Sequence, residues 1–455
     1  MKRRTFLENS LAGGAVLGAS GLTAGSCSTI KRTRKSVQIQ ENGKYDILLK
    51  GGRVIDPANN IDGVMDVAVS NRKIAMVGKN IPAADAKKTI DMTGLCVTPG
   101  LIDIHVHVFH TFSERPLSVI PDHHLFNAGV TTCADAGTVG PASFERFLKG
   151  VIEPSRSRIF AFINIAAPGM TEAEQDPRTY DVQLSVDVAK RYPEHIVGHK
   201  IAHYWTGTQP YDSLHTPWAN VDALMEAGRK TGLPVMIDWF PRPASQGYPA
   251  RTYRELILEK TRPGDIHTHN YARHIPVLDM NEKGKVNPDI FKAQERGFKF
   301  DTGHGSGSFV WRNAVPAVEQ GFISDSISSD LHNGSVKGAM LDMPNIMSKY
   351  LCMGVPLEDV VRRSTVNPAR QINHSELGTL STGSSADIAV LELEKGKFNF
   401  LDTSGGRLIG DRKLRNLLTV FKGRIEFDPT GLSYPVWEDV PKDNDYWVNQ
   451  SGQFF

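Results

Sequence analysis

Two histidines stand one residue apart in the run LIDIHVHVF at 101–109, just after the turn TPG at 98–100. On an alternating strand His105 and His107 share a face, where two neutral imidazoles can chelate one divalent ion. A hydrogen-bonded pair of core histidines would explain the motif as well, so residues elsewhere decide. Lys200 lies in the apolar run GHKIAHY. A buried ammonium is costly unless paired or modified. Carboxylation by CO2 would make it an anion with two oxygens, able to bridge two metals; a lysine reaching along a strand end to solvent is the plainer alternative. His269, in GDIHTHNY, is a further candidate ligand, with His267 on the same face one layer deeper, in the core or behind a ligand. Asp330 ends ISDSISSDLHNG. A carboxylate there can bind metal and take a proton from water, or cap a following helix.

These residues sit at the ends of strand-like runs. Eight apolar runs recur roughly 30 residues apart: 102–109, 129–136, 158–167, 195–204, 233–240, 265–271, 298–305 and 322–330. Helical patterns such as NVDALMEAGRKTG at 220–232 separate most of them. This alternation predicts a parallel (β/α)8 barrel over 99–374, whose chemistry belongs at the carboxyl ends of the strands. Residues 44–98 read instead as short alternating strands, with hairpin turns expected at Gly51-Gly52 and at Asn71. The β pattern returns over 375–430, so a β-sandwich built from both ends of the chain is expected around the barrel. Residues 28–43 read as a polar, basic tether, and 431–455 as a C-terminal extension.

The first 27 residues, MKRRTFLENSLAGGAVLGASGLTAGSC, have a basic start and a weakly apolar middle too short and glycine-rich to span a membrane. Arg3-Arg4 resembles a twin-arginine export signal, and the small residues before Cys27 leave a lipid anchor there open. An exported protein, periplasmic or held at the cell envelope, is the expectation. Over all 455 residues the formal net charge is +2, and there is no phosphate loop or basic stripe, which speaks against nucleic acid as a partner. Cys96, Cys133 and Cys352 are widely spaced and read as buried thiols.

With these motifs in hand, the chain resembles the metal-dependent amidohydrolase superfamily. TPGLIDIHVH, Lys200, THNY with His269, and SSDLH with Asp330 carry the likeness, supported by VNPAR (366–370) and GTLSTGSSADIAVL (378–391). FDTGHGSGSF and ISSDLH resemble the branch of deacetylases, D-aminoacylase-like and dihydroorotase-like enzymes, which hydrolyse acyl amides, cyclic amides or acyl esters of small carboxylic acids. The resemblance implies two divalent metals, usually zinc, held by His105, His107, a carboxylated Lys200, His269 and Asp330, with Asp330 as general base and acid. The chain would then need only a small acyl substrate, as a monomer or an oligomer.

One position departs from the pattern. The fifth strand of the family ends in histidine, whereas GLPVMIDWF places Asp238 there. With histidine the two-metal site keeps a net positive charge; with Asp238 it becomes neutral, and bound water should be less acidic. Asp238 is expected to ligate metal, since carboxylates are ordinary zinc ligands. The alternatives are that His203 swings in, or that only one ion binds. A barrel that binds a ligand or metal without catalysis is the competing reading. For the substrate, His304 between two glycines and Arg242 in WFPRP are the candidate contacts, with Tyr204, Trp205 and Trp239 as an aromatic wall or as packing.

Overall fold

The computed structural model describes residues 37–111, 117–202, 213–239, 250–273, 277–278 and 284–440. The leader with Cys27, the contacts expected from His203 and Arg242, Tyr204, Trp205 and the end of the C-terminal extension lie outside the described residues.

Seven of the apolar runs pair side by side as parallel strands: Leu101–Val106, Val130–Ala136, Arg158–Asn164, Ile196–Ala202, Val235–Asp238, Ile266–His267 and Lys299–Phe300. The eighth run closes the ring without a regular strand of its own. Single parallel bridges join Asp301 to Ser326 on one side and Val106 to Leu331 on the other. The backbone N–H of His107 donates to the Leu331 carbonyl at 2.8 Å across that second seam.

Strands covered on both faces read as continuous apolar runs. Ile102, Ile104, Ala134, Phe160, Phe162 and Met236 fill the inside of the barrel. Ile159, Ala161, Ile163, Val235 and Ile237 alternate with them and pack outward against the helical layer. Each such large side chain stabilises the fold by roughly 1.5–3 kcal/mol relative to exposure. The helix expected at 220–232 spans Ala219–Thr231 and ends on Gly232 at φ +76°, the left-handed stop that glycine adopts without a Cβ penalty.

The last barrel runs form only short strands or none. His269 has φ +62° and Asp330 φ +49°, which removes both from β geometry. Backbone strain of this kind is commonly stored at active sites.

The second sheet has nine strands and unites the two chain ends, as the barrel-plus-sandwich reading requires. Ile388–Leu401, from the returning segment, pairs antiparallel with Cys96–Pro99, from the first one. Val54, Val67, Val97, Ile388, Val390 and Leu418 form its core. The turn at Asn71-Arg72 is present, both residues at positive φ. Gly51-Gly52 is not a turn. It forms a bulge inside the long strand Tyr45–Asp56, with Gly51 at φ +74°, and Val97 and Met92 crowd the space a Cβ on Gly52 would fill. Pairing begins at Gln38–Ile39, which joins Ala86–Asp91, so the end of the stretch read as a tether belongs to the sheet. Among the described residues no helix is long and apolar enough to cross a membrane.

Candidate active site

The carboxyl ends of the first, sixth and eighth runs bring three imidazoles onto one carboxylate. Oδ1 of Asp330 lies 3.0 Å from His107 Nε2 and 3.6 Å from His105 Nε2, and Oδ2 lies 3.5 Å from His269 Nε2. The His105 and His269 rings stack with centroids 4.8 Å apart, and His105 meets His107 edge-on at 5.5 Å. All four side chains are buried. Burial alone would raise the pKa of Asp330, but the surrounding histidines hold it well below the ordinary carboxylate range.

Two glycines make this convergence possible. A Cβ on Gly305 would lie 2.0 Å from Asp330 Oδ2, and one on Gly303 would lie 2.4 Å from Thr268 Oγ1 and 2.5 Å from the His269 ring. Both residues have φ near +50°, a backbone state that glycine takes without strain. The glycines around His304 therefore admit Asp330 and His269.

The support behind the histidines was not anticipated from the sequence. Thr268 Oγ1 donates its single hydrogen to Asp301 Oδ2 at 2.8 Å, and it stands 2.7 Å from His105 Nδ1. It can therefore only accept from His105, which puts the ring proton on Nδ1 and the lone pair on Nε2, facing Asp330. Asp301 also accepts from Ser326 and Ser328, each at 2.6 Å. His107 Nδ1 is held at 2.7 Å by Thr138 Oγ1. Asp103 ties the first run to the eighth by accepting from the N–H and hydroxyl of Ser329. The signal for Asp103 and Asp301 was there to read: acids inside otherwise apolar runs are buried only with partners.

Lys200 is buried beside the loop that holds His107; a Cβ on Gly137, next to Thr138, would meet its Cγ at 2.6 Å. Burial pushes its ammonium pKa down while Asp238, Asp330, Glu174 and Asp301 pull it up, so its charge falls within the field of the same carboxylates.

Asp238 ends the fifth strand, fully buried, with Oδ2 only 2.9 Å from His269 Nδ1. Burial disfavours charge on His269, yet Asp238 and Asp330 together push its pKa up to about 9. His267 does not share the direction of His269. It packs edge-on against Tyr253 and Phe300, since the positive φ at His269 breaks the period of two.

His304 is turned away from the role expected of it. Its Nδ1 faces the Gly305 carbonyl at 3.0 Å and its Nε2 meets Lys349 Nζ at 2.6 Å, with Phe309 stacked on the ring at 4.7 Å. Neither ring nitrogen is left for a substrate. Trp239 is likewise packing: it is buried between Trp218 and Tyr253. His332, two residues past Asp330, was not singled out as a site residue. It is half-buried, 6.3 Å ring to ring from His107, and its Nδ1 accepts from the Gly334 N–H, leaving Nε2–H as a donor beside the site.

A divalent ion fits these residues. His105, His269 and Asp330 each offer a ligand atom, all within 4.8 Å of one another. Nε2 of His105 and of His269 are buried without a hydrogen-bond partner among the described residues, which is costly unless something completes them. Imidazole nitrogens with a carboxylate form an ordinary zinc donor set.

Comparison with known proteins agrees with this chemistry. An amidohydrolase family model matches residues 306–424. A deacetylase from Brucella anthropi is 32% identical over 356 residues, covering 76% of this chain and 83% of its own. One from Agrobacterium fabrum is 33% identical over 344 residues, covering 73% and 79%. Among solved structures, an adenine deaminase superposes with a TM-score of 0.72 at 25% identity, covering 84% of this chain and all of its own. A dihydroorotase gives 0.69 at 28% identity, covering 83% and 98%.

Proposed function

Since the chain belongs to the amidohydrolase family and is a hydrolase of carbon–nitrogen bonds, we propose that it cleaves an acyl amide, a cyclic amide or an acyl ester of a small carboxylic acid. The observation that carries this reading is the meeting of His105, His107 and His269 on Asp330. In the proposal these residues, with a carboxylated Lys200, hold divalent metal, usually zinc in this family. A divalent ion held by these residues would supply Lewis-acid polarisation of the scissile carbonyl and a more acidic water. Asp330 accepts the proton of the attacking water and returns it to the leaving nitrogen or oxygen. Thr268 and Asp301 keep His105 in the tautomer that leaves Nε2 free.

Asp238 takes a role different from the ligand first expected. Its approach to Nδ1 of His269 favours holding the proton there, so that Nε2 of His269 faces Asp330. Arg242, outside the described residues, is proposed as the partner of a substrate carboxylate on the chemistry of its guanidinium alone. The leader and its Arg3-Arg4 pair support export in the folded state, with lipidation at Cys27 as an accompanying proposal.

The test is a hydrolysis screen of the purified mature protein against N-acyl amino acids, cyclic amides and acyloxy acids, with Zn2+ or Mn2+ added back. Turnover in the wild type that Asp330→Asn removes supports the reading. A protein that binds metal yet turns over nothing in the screen favours the barrel without catalysis.

A further inference from the structure

A cavity of about 420 Å³ opens at the other end of the barrel, within the size range of small-molecule sites. Pro234 and Gly264 on its wall precede the fifth and sixth strands, and Lys299 begins the seventh. Asp238 and His269 close the fifth and sixth runs and Asp330 closes the eighth, so the cavity and the candidate active site lie at opposite ends of the barrel.

Three cations line it, Arg262, Lys299 and Arg370, against one carboxylate, Asp325. Two of the three are already balanced. Arg262 is bidentate to Asp265 behind the wall, and Lys299 Nζ lies 3.4 Å from Asp325. Arg370 is exposed and has no ion pair among the described residues. The cavity therefore carries one uncompensated positive charge.

Beside it is a group that needs a partner. Gln371 lines the cavity, is only 7% exposed, and neither its amide nitrogen nor its amide oxygen has a hydrogen-bond partner among the described residues. An orphaned buried amide costs about 1–3 kcal/mol per group. Both residues belong to the short helix Val366–Gln371, which contains the whole VNPAR motif. Asn367 pins it by donating to the Asp325 carbonyl at 2.8 Å. Nothing in the hydrolytic chemistry uses this motif.

We propose that this cavity binds a small organic monocarboxylate that also carries an amide. Arg370 takes the carboxylate in a charge-assisted contact, and Gln371 pairs its N–H and C=O with the ligand amide. A single anionic group matches the single free cation, and a reciprocal amide pair satisfies both orphaned atoms of Gln371.

Calorimetric titration of the full chain with succinamate, and with butyrate as the probe that lacks the amide, tests this. Succinamate should bind once per chain and more tightly than butyrate. Arg370→Ala should weaken both by about tenfold or more. Gln371→Leu should weaken succinamate while sparing butyrate, and neither variant should change turnover at the active site. Absence of succinamate binding to the wild type would overturn the proposal. So would binding that Asp330→Asn abolishes and Arg370→Ala spares, which would place the probe in the active site instead.

Discussion

Oδ2 of Asp238 lies 2.9 Å from Nδ1 of His269, while Nε2 of the same ring lies 3.5 Å from Asp330. One imidazole thus stands between two carboxylates, and one of them belongs to the residue that departs from the family pattern. Asp238→Asn keeps the shape and removes the charge. It should weaken metal affinity by about 10–100-fold, the usual cost of losing a carboxylate behind a ligating histidine. Competition with a chromogenic chelator measures it, and an unchanged affinity would show that Asp238 merely packs.

Gly305→Ala should disable the site while leaving the fold in place. The added Cβ would meet Asp330 Oδ2 at 2.0 Å, on a residue at φ +50°. The backbone term costs roughly 1–2 kcal/mol, and displacement of Asp330 should lower kcat by about 100-fold or more. Melting temperature and turnover together check this. A variant with near-normal activity would mean that Asp330 does not act from the position described.

Carboxylation of Lys200 predicts a spectroscopic signature. Protein exchanged with 13C-bicarbonate should show one carbamate resonance that Lys200→Ala lacks. A wild-type spectrum without it would mean that Lys200 stays an amine.

Lys349 gives a stability prediction independent of metal. Its ammonium is buried and donates to the carbonyls of Ala339 and Leu401 and to His304, at 2.9, 2.6 and 2.6 Å. Burial pushes its pKa from 10.5 down to about 7. Above pH 7 the unfolded chain therefore binds more protons at this position than the folded one, and stability rises with pH until the unfolded value is reached. Below pH 7 the fold carries a buried charge. Lys349→Met should flatten the rise by up to about 1.4 kcal/mol per pH unit. Urea unfolding of both proteins between pH 7 and pH 9 checks this; parallel profiles would contradict it.

The barrel was legible because its strands are buried on both faces, which leaves apolar runs at a regular interval, and because His105 and His107 obey the period of two. His269 could not be placed that way, since φ +62° at that residue turns it out of the alternation that His267 still follows. The glycines at 303 and 305 were visible, but their purpose depends on which side chains arrive from other strands. The same holds for His304, whose partner Lys349 lies 45 positions away in the chain. Asp301 and Thr268 were overlooked because a hydrogen-bond relay between neighbouring strands has no local spacing to betray it.

The most direct test is metal analysis of the purified mature protein, taken together with His269→Ala. The account predicts at least one divalent ion bound per wild-type chain, retained through gel filtration, and much reduced in the variant. Wild-type protein that stays metal-free after incubation with Zn2+ or Mn2+, or a variant that keeps the full complement, would contradict it.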